Sequence, residues 1–285
     1  MSESVLNTSQ TDSEKRKSLP RALTSYDLFK SFAVLSMFSD HIGAHFFPEE
    51  YWFRVFGRLC VPIWFFLIGY ARSRDIPRRW IYGTLILVAV SVISGGGIFP
   101  LSILPTMIVL RLVIDRVIQY TDTSGEVLWL LSLFSAVLIL PTSMIMDYGT
   151  QGLILAMLGY MVRQESDRLK LGEESGIPRR PVQVFAFFSV AVFLFTQEFF
   201  GLYPPLAFLI LSAGTVIIHI RLLAFKPVVH EELTGKLPRF AIQGMQLFGR
   251  YSLEIYVIHL AVFKIIAAIM GTGGYAFFQW SVLKL

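Results

Sequence analysis

The sequence predicts an all-α fold: a polytopic integral membrane helical bundle of about nine transmembrane helices. Three observations carry this. Hydrophobic residues are 54% of 285, Phe alone contributes 25, and mean hydropathy is +0.61, far too apolar for a soluble domain of this length. Apolar runs of bilayer length recur along the chain. Leu28 to Phe47, the first of them, has twenty residues, which at ~1.5 Å per residue cover a hydrocarbon core of ~30 Å. Finally, 19 of the 25 Lys and Arg residues fall in the amino-terminal tail and in four alternate loops with their helix ends. That bias places the amino terminus in the cytosol. The net charge of +5 is therefore loop charge and gives no reason to expect nucleic acid as a partner. A single cysteine, Cys60, excludes an internal disulfide and a cysteine metal cluster.

Taken in order, residues 1–25 are polar and end in Lys15, Arg16, Lys17 and Arg21, so a disordered cytosolic tail is expected; residues 26–285 read as one transmembrane domain. A span from about Arg54 to Tyr70 follows the first, bent at Pro62 and approachable at Gly57. Arg72, Arg74, Arg78 and Arg79 form a basic loop before the span Trp80–Ile98, with Gly95–Gly97 as a flexible turn. Leu101–Ile118 returns, and its Arg111 and Asp115 have i,i+4 spacing or snorkel at the helix end. Val127–Pro141 and Gly152–Val162 flank an outer turn carrying Asp147 and Tyr148. The stretch 163–180 reads as a solvated connector. Val182–Thr196 and Leu206–His219 are another pair, Leu237–Phe248 reads as an amphipathic interfacial helix, and Tyr251–Met270 is the last full span. The closing GTGGYAFFQWSVLKL is too short to cross.

The ionisable residues inside these spans are the functional signal. A charge at mid-membrane costs roughly 2.5–3.5 kcal/mol, yet the first span holds Lys30, Asp40, His41 and His45. At ~100° per residue from Asp27, Lys30 lies at about 300°, His41 at about 320° and His45 near 0°. Asp27, Lys30, His41 and His45 share one stripe facing protein or water. Asp40 lies about 100° from His41, so a straight helix does not let it orient the imidazole. Arg54 and Arg58 begin the returning helix beside the His41 end. A histidine with a carboxylate and arginines in a partly dry site suits base-assisted group transfer to an amine or hydroxyl. The same residues equally suit polar glue between helices. His41 and His45 at i,i+4 lack a clear third metal ligand. His259, five residues from Glu254 and about 140° round the helix from it, reads as a packing residue; His219 and His230 read as non-functional.

Three patches carry a family resemblance: YDLFKSFAVLSMFSDHIG, FRVFGRLCVPIWFFLIGY and MDYGTQGLILAMLGY. Together they resemble the TraX family of conjugative-transfer membrane proteins, implicated in acetylating the amino terminus of F-type pilin. The chain is also similar to the acyltransferase type 3 superfamily of membrane acyltransferases, whose basic residue, ten-residue gap and histidine match Lys30 and His41; FGRYSLEIYVIHL resembles its last-span pattern. The resemblance implies a multi-pass protein of the bacterial inner membrane that transfers an acetyl group from acetyl-CoA, without a metal. It implies His41 as general base, Asp40 as its neighbouring carboxylate and Arg58 as a cation for donor phosphates or a developing oxyanion. Lys30, Asp27, Arg54, His45, Tyr148, Arg250 and Glu254 would bind donor or substrate. The acceptor would be pilin or an envelope glycan, the latter making the reaction polysaccharide O-acetylation. A transporter or non-catalytic pilus-assembly factor stands as the alternative class, since intramembrane His, Asp and Arg also build proton relays.

Overall fold

A computed structural model describes residues 21–121, 124–170 and 180–283. Most of the expected tail and the middle of the 163–180 connector lie outside the described residues. In chain order the elements are α1 Ser25–Phe46, α2 Tyr51–Gly57, α3 Cys60–Tyr70, α4 Arg78–Ile93, β1 Gly97–Phe99, α5 Ile103–Thr121, α6 Gly125–Val137, α7 Ile139–Ser143, α8 Gln151–Lys170, α9 Arg180–Gly201, α10 Pro205–Leu223, α11 Glu231–Lys236, α12 Arg239–Arg250, α13 Ser252–Met270 and β2 Ser281–Leu283. The fold is an all-α membrane bundle. Among the described residues, four segments are long and apolar enough to cross a bilayer by themselves: Tyr51–Tyr70, Pro181–Gly201, Pro205–Leu223 and Ser252–Met270. The other expected spans are shorter, broken or charged at their ends. Phe187, Phe195, Leu130 and Val137 stand more than 70% exposed, an apolar belt that lipid would cover.

Local chemistry sets the element ends. Thr24 and Asp27 form a reciprocal capping box that starts α1, supplying acceptors to amides that have no partner within the helix. The second span is split, as Pro62 requires: with no N–H to give the carbonyl of residue 58, the chain turns at Arg58–Leu59 between α2 and α3. α3 is the bundle's axis, buried at every position but Trp64. It meets α8 through glycines, since a β-carbon on Gly69 would lie 1.8 Å from the Ala156 carbonyl oxygen and one on Gly159 would lie 2.0 Å from that of Phe66. Backbones pack at this distance only where side chains vanish.

Several expectations change. α8 runs on to Lys170 instead of ending at Val162, because 163–170 are good helix formers and Arg72 pairs with Asp167 at 2.5 Å to hold them. Asp115 bonds Arg74 at 2.9 Å, not Arg111. The Arg111 guanidinium instead sits 4.4 Å from the Trp80 ring centre and donates to the Asp75 carbonyl. Gly95–Gly97 is no flexible turn. Gly95 has φ +76° and a β-carbon there would meet the Ala276 carbonyl oxygen, so the glycines seat the carboxyl-terminal segment. That segment returns along the end of α4, with β1 and β2 pairing in parallel and the Phe278 amide donating to the Ile93 carbonyl at 3.0 Å. α12 is amphipathic as expected, and packs on α1 where Gly249 lets it approach Asp27.

Candidate functional site

α1, α2 and α13 build one end of the site. The helical angle that separates Asp40 from His41 sends them to different neighbours. Asp40, with its side chain 10% exposed, faces α2: Arg54 Nη1 donates to Oδ2 at 2.9 Å, and Arg58 Nε lies 3.5 Å from Oδ1. Asp40 thus serves the arginines and not the imidazole. Gly57 makes this possible, since any side chain there would overlap the Asp40 backbone. Arg58 also donates from Nη1 to the Tyr148 hydroxyl at 2.5 Å. Tyr148 has φ +66° and is followed by Gly149 at +42°, a left-handed turn that is costly for a tyrosine and persists where its surroundings dictate it.

His41 faces α13. Its Nδ1 lies 2.6 Å from His259 Nε2, with the rings stacked at 4.9 Å and 21°. His259 Nδ1 is 2.6 Å from the Ile255 carbonyl oxygen. One turn on, His45 Nδ1 donates to the His41 carbonyl at 2.9 Å. The ring of Tyr275, from the returning carboxyl-terminal segment, stacks on His45 at 5.3 Å, its hydroxyl 3.2 Å from Nε2. Burial pushes the Tyr275 hydroxyl up to about 12, so the phenol stays protonated and donates. In the turn before α8, burial likewise pushes the Asp147 carboxyl up to about 6, against the pull of the Arg58 guanidinium. Lys264 Nζ reaches Ser91 Oγ at 2.5 Å.

At the opposite end of the same cavity Arg79 pairs with Glu254 at 2.8 Å, and Arg250 Nε lies 3.5 Å from Asp27 Oδ1. The cavity, about 850 Å³, is lined at this end by Lys30, Arg79, Arg111, Arg250 and Glu254 and at the other by Asp40, His41, His45, Arg54, Arg58 and Tyr148. The structure therefore brings nearly every residue singled out from the sequence to one continuous space. Asp27 is the exception: its carboxylate caps α1 and holds Arg250, and it does not line the cavity. The sequence missed Lys264 and Tyr275, which line the cavity. His259, read from the sequence as a packing residue, is buried and stays off the cavity lining, but its ring nitrogen meets His41, a contact the sequence did not foretell. Only the last-span pattern in FGRYSLEIYVIHL hinted at His259. His219 donates to the Thr215 carbonyl at 2.9 Å and His230 lies 3.1 Å from Ser25 Oγ, both away from the cavity lining. Among the described residues no three His, Cys, Asp or Glu side chains are grouped to hold a metal ion.

The family model described as TraX protein matches residues 25–267. An uncharacterized protein of Rickettsia prowazekii (strain Madrid E) is 23% identical over 265 residues, covering 90% of this chain and 97% of the relative. No solved structure matches the chain.

Proposed function

The chain belongs to the TraX protein family, and from that premise we propose that it is an integral-membrane acyltransferase moving an acetyl group from acetyl-CoA to an envelope acceptor. The observation that carries this reading is the single cavity joining a cationic end to an end built from His41, Arg58 and Tyr148. Phosphates of the donor would meet the Lys30 ammonium and the guanidinium groups of Arg79, Arg111 and Arg250, which suit phosphate oxygens. The thioester would then lie towards His41. The acceptor amine or hydroxyl attacks the thioester carbonyl carbon while His41 takes its proton. The new C–N or C–O bond forms, the C–S bond breaks, and the proton passes to the departing thiolate. Such a base contributes typically 10²- to 10⁴-fold. Because Arg58 donates to the Tyr148 oxygen, the phenolic hydrogen stays free to bond a developing oxyanion, the usual use of a fixed donor in a dry site.

The family's link to conjugation favours a bacterial inner-membrane setting, and the charge bias of the loops favours an amino terminus in the cytosol, which would put the cationic end on the side where acetyl-CoA is made. Among acceptors, the family's link to conjugation favours the pilin amino terminus, with a polysaccharide hydroxyl as the second. The test is acetyl transfer from radiolabelled acetyl-CoA by protein purified into lipid, with cell-envelope extract as acceptor. Label should pass to an extract component with wild type and not with His41→Ala, which should still insert into the membrane; the labelled component names the acceptor. Equal transfer by the two proteins overturns the mechanism, and no transfer with any extract favours the transporter or assembly reading.

A further inference from the structure

We propose that His259 is a positioning residue that fixes the ring tautomer of His41, leaving His41 Nε2 as the unprotonated nitrogen presented to the cavity; this rests on the reading of His41 as a base. The proton assignment follows from one carbonyl. A carbonyl oxygen only accepts, so His259 Nδ1, 2.6 Å from the Ile255 oxygen, must carry its hydrogen. In a neutral imidazole the other nitrogen then bears a lone pair. His259 Nε2 is that nitrogen, and it faces His41 Nδ1 at 2.6 Å. Opposite the neutral His259 two facing lone pairs cannot bond, so His41 Nδ1 carries the hydrogen and donates it. His41 Nε2 is left as the acceptor.

The neighbouring groups are consistent with this. His45 is fully engaged, donating from Nδ1 to the His41 carbonyl and accepting at Nε2 from Tyr275. It cannot compete for either His41 nitrogen through these bonds. His259 is 6% exposed, packed 4.3 Å from the Phe38 ring and 5.4 Å from that of Phe263, and it does not line the cavity. It therefore reaches a reacting group only through His41. A proton arriving on His41 Nε2 breaks none of these bonds, and it strengthens the donation from Nδ1 because the donor becomes cationic. The arrangement performs for His41 what a carboxylate commonly performs for a catalytic histidine, a role the geometry denies to Asp40.

The test uses the full chain labelled with ¹⁵N-histidine in lipid nanodiscs. With five histidines in the sequence, the His41 signals are assigned by their loss in His41→Asn. The expected wild-type spectrum has His41 Nδ1 protonated and Nε2 bare. His259→Phe keeps the ring in its aromatic surroundings but removes the acceptor, and should shift His41 towards the Nε2–H form. His259→Gln supplies a carbonyl acceptor and should restore the wild-type form. In the acetyl-transfer assay, His259→Phe should lower kcat roughly 10- to 100-fold with KM for acetyl-CoA within about twofold, and His259→Gln should recover most of it. An unchanged His41 tautomer in His259→Phe, or equal loss with Phe and Gln, overturns the proposal. Absence of transfer by wild type defeats the acyltransferase reading instead, while the spectra still decide whether His259 positions His41.

Discussion

Replacing Gly57 by alanine adds one methyl group at the place where α2 crosses α1. Its β-carbon would lie 2.4 Å from both Cα and Cβ of Asp40 and 2.5 Å from the Asp40 nitrogen, where ordinary contact begins at 3.4 Å. These are largely backbone atoms, which cannot swing aside as a flexible side chain would, so α2 must retreat by about 1 Å. Arg54 and Arg58 lie on either side of residue 57, and the shift carries both from Asp40. The 2.9 Å bond between Arg54 and Asp40 would lengthen to roughly 3.9 Å, beyond hydrogen-bonding range. Forcing a methyl group into a packed interior costs about 1–3 kcal/mol. At about 2–4 °C per kcal/mol, that lowers the melting temperature by roughly 2–12 °C. The control is Gly244→Ala in α12, where an added β-carbon meets nothing within 4 Å and the helix gains about 0.5–1 kcal/mol from losing a glycine. Thermal unfolding of both purified variants in detergent is the assay. Acetyl transfer should fall in Gly57→Ala alone, because Arg58 moves from Tyr148. Melting of Gly57→Ala at or above the wild-type temperature would refute the argument that this glycine seats α2.

Four further outcomes are expected. Asp147, with its carboxyl raised to about 6, contributes stability that is complete below its ordinary value of 3.8 and is lost as pH rises through about 6. Asp147→Asn should therefore gain on wild type in melting temperature across that interval; a difference flat in pH would contradict the assignment. Arg58→Ala should lower kcat through loss of the Tyr148 contact, with KM for acetyl-CoA changed little, measured in the transfer assay; an unaltered kcat sinks that role. Gly95→Ala, at φ +76° and against the Ala276 carbonyl, should release the carboxyl-terminal segment, seen as faster hydrogen exchange of the Phe278 amide, and undiminished protection would argue against the seating. In a Cys60→Ser background, a membrane-impermeant thiol reagent applied to intact cells should label Met144→Cys and spare Leu233→Cys; the reverse pattern inverts the proposed orientation.

The sequence by itself determined that this is an all-α membrane protein, where its polar residues interrupt the apolar spans, and which stripe of α1 carries them. Those properties follow from composition and from the fixed angle per residue of a helix, which need no knowledge of neighbours. The same angle foretold that Asp40 and His41 part company. The bend near Pro62 and the amphipathic α12 were legible for similarly local reasons. Only the tertiary structure decided what each polar group meets. Asp40 turned out to hold two arginines across Gly57, Asp27 to cap a helix and hold Arg250, Asp115 to hold Arg74 in place of Arg111, and Gly95 to receive a returning segment in place of flexing. His259 is the clearest case: it lies 218 positions along the chain from His41, and on its own helix its hydrogen-bond partner is the Ile255 carbonyl. A contact between distant helices depends on how all the intervening helices pack, and that packing is set by close approaches such as Gly69 on Ala156 and Gly159 on Phe66, which a linear pattern of residues does not encode one at a time.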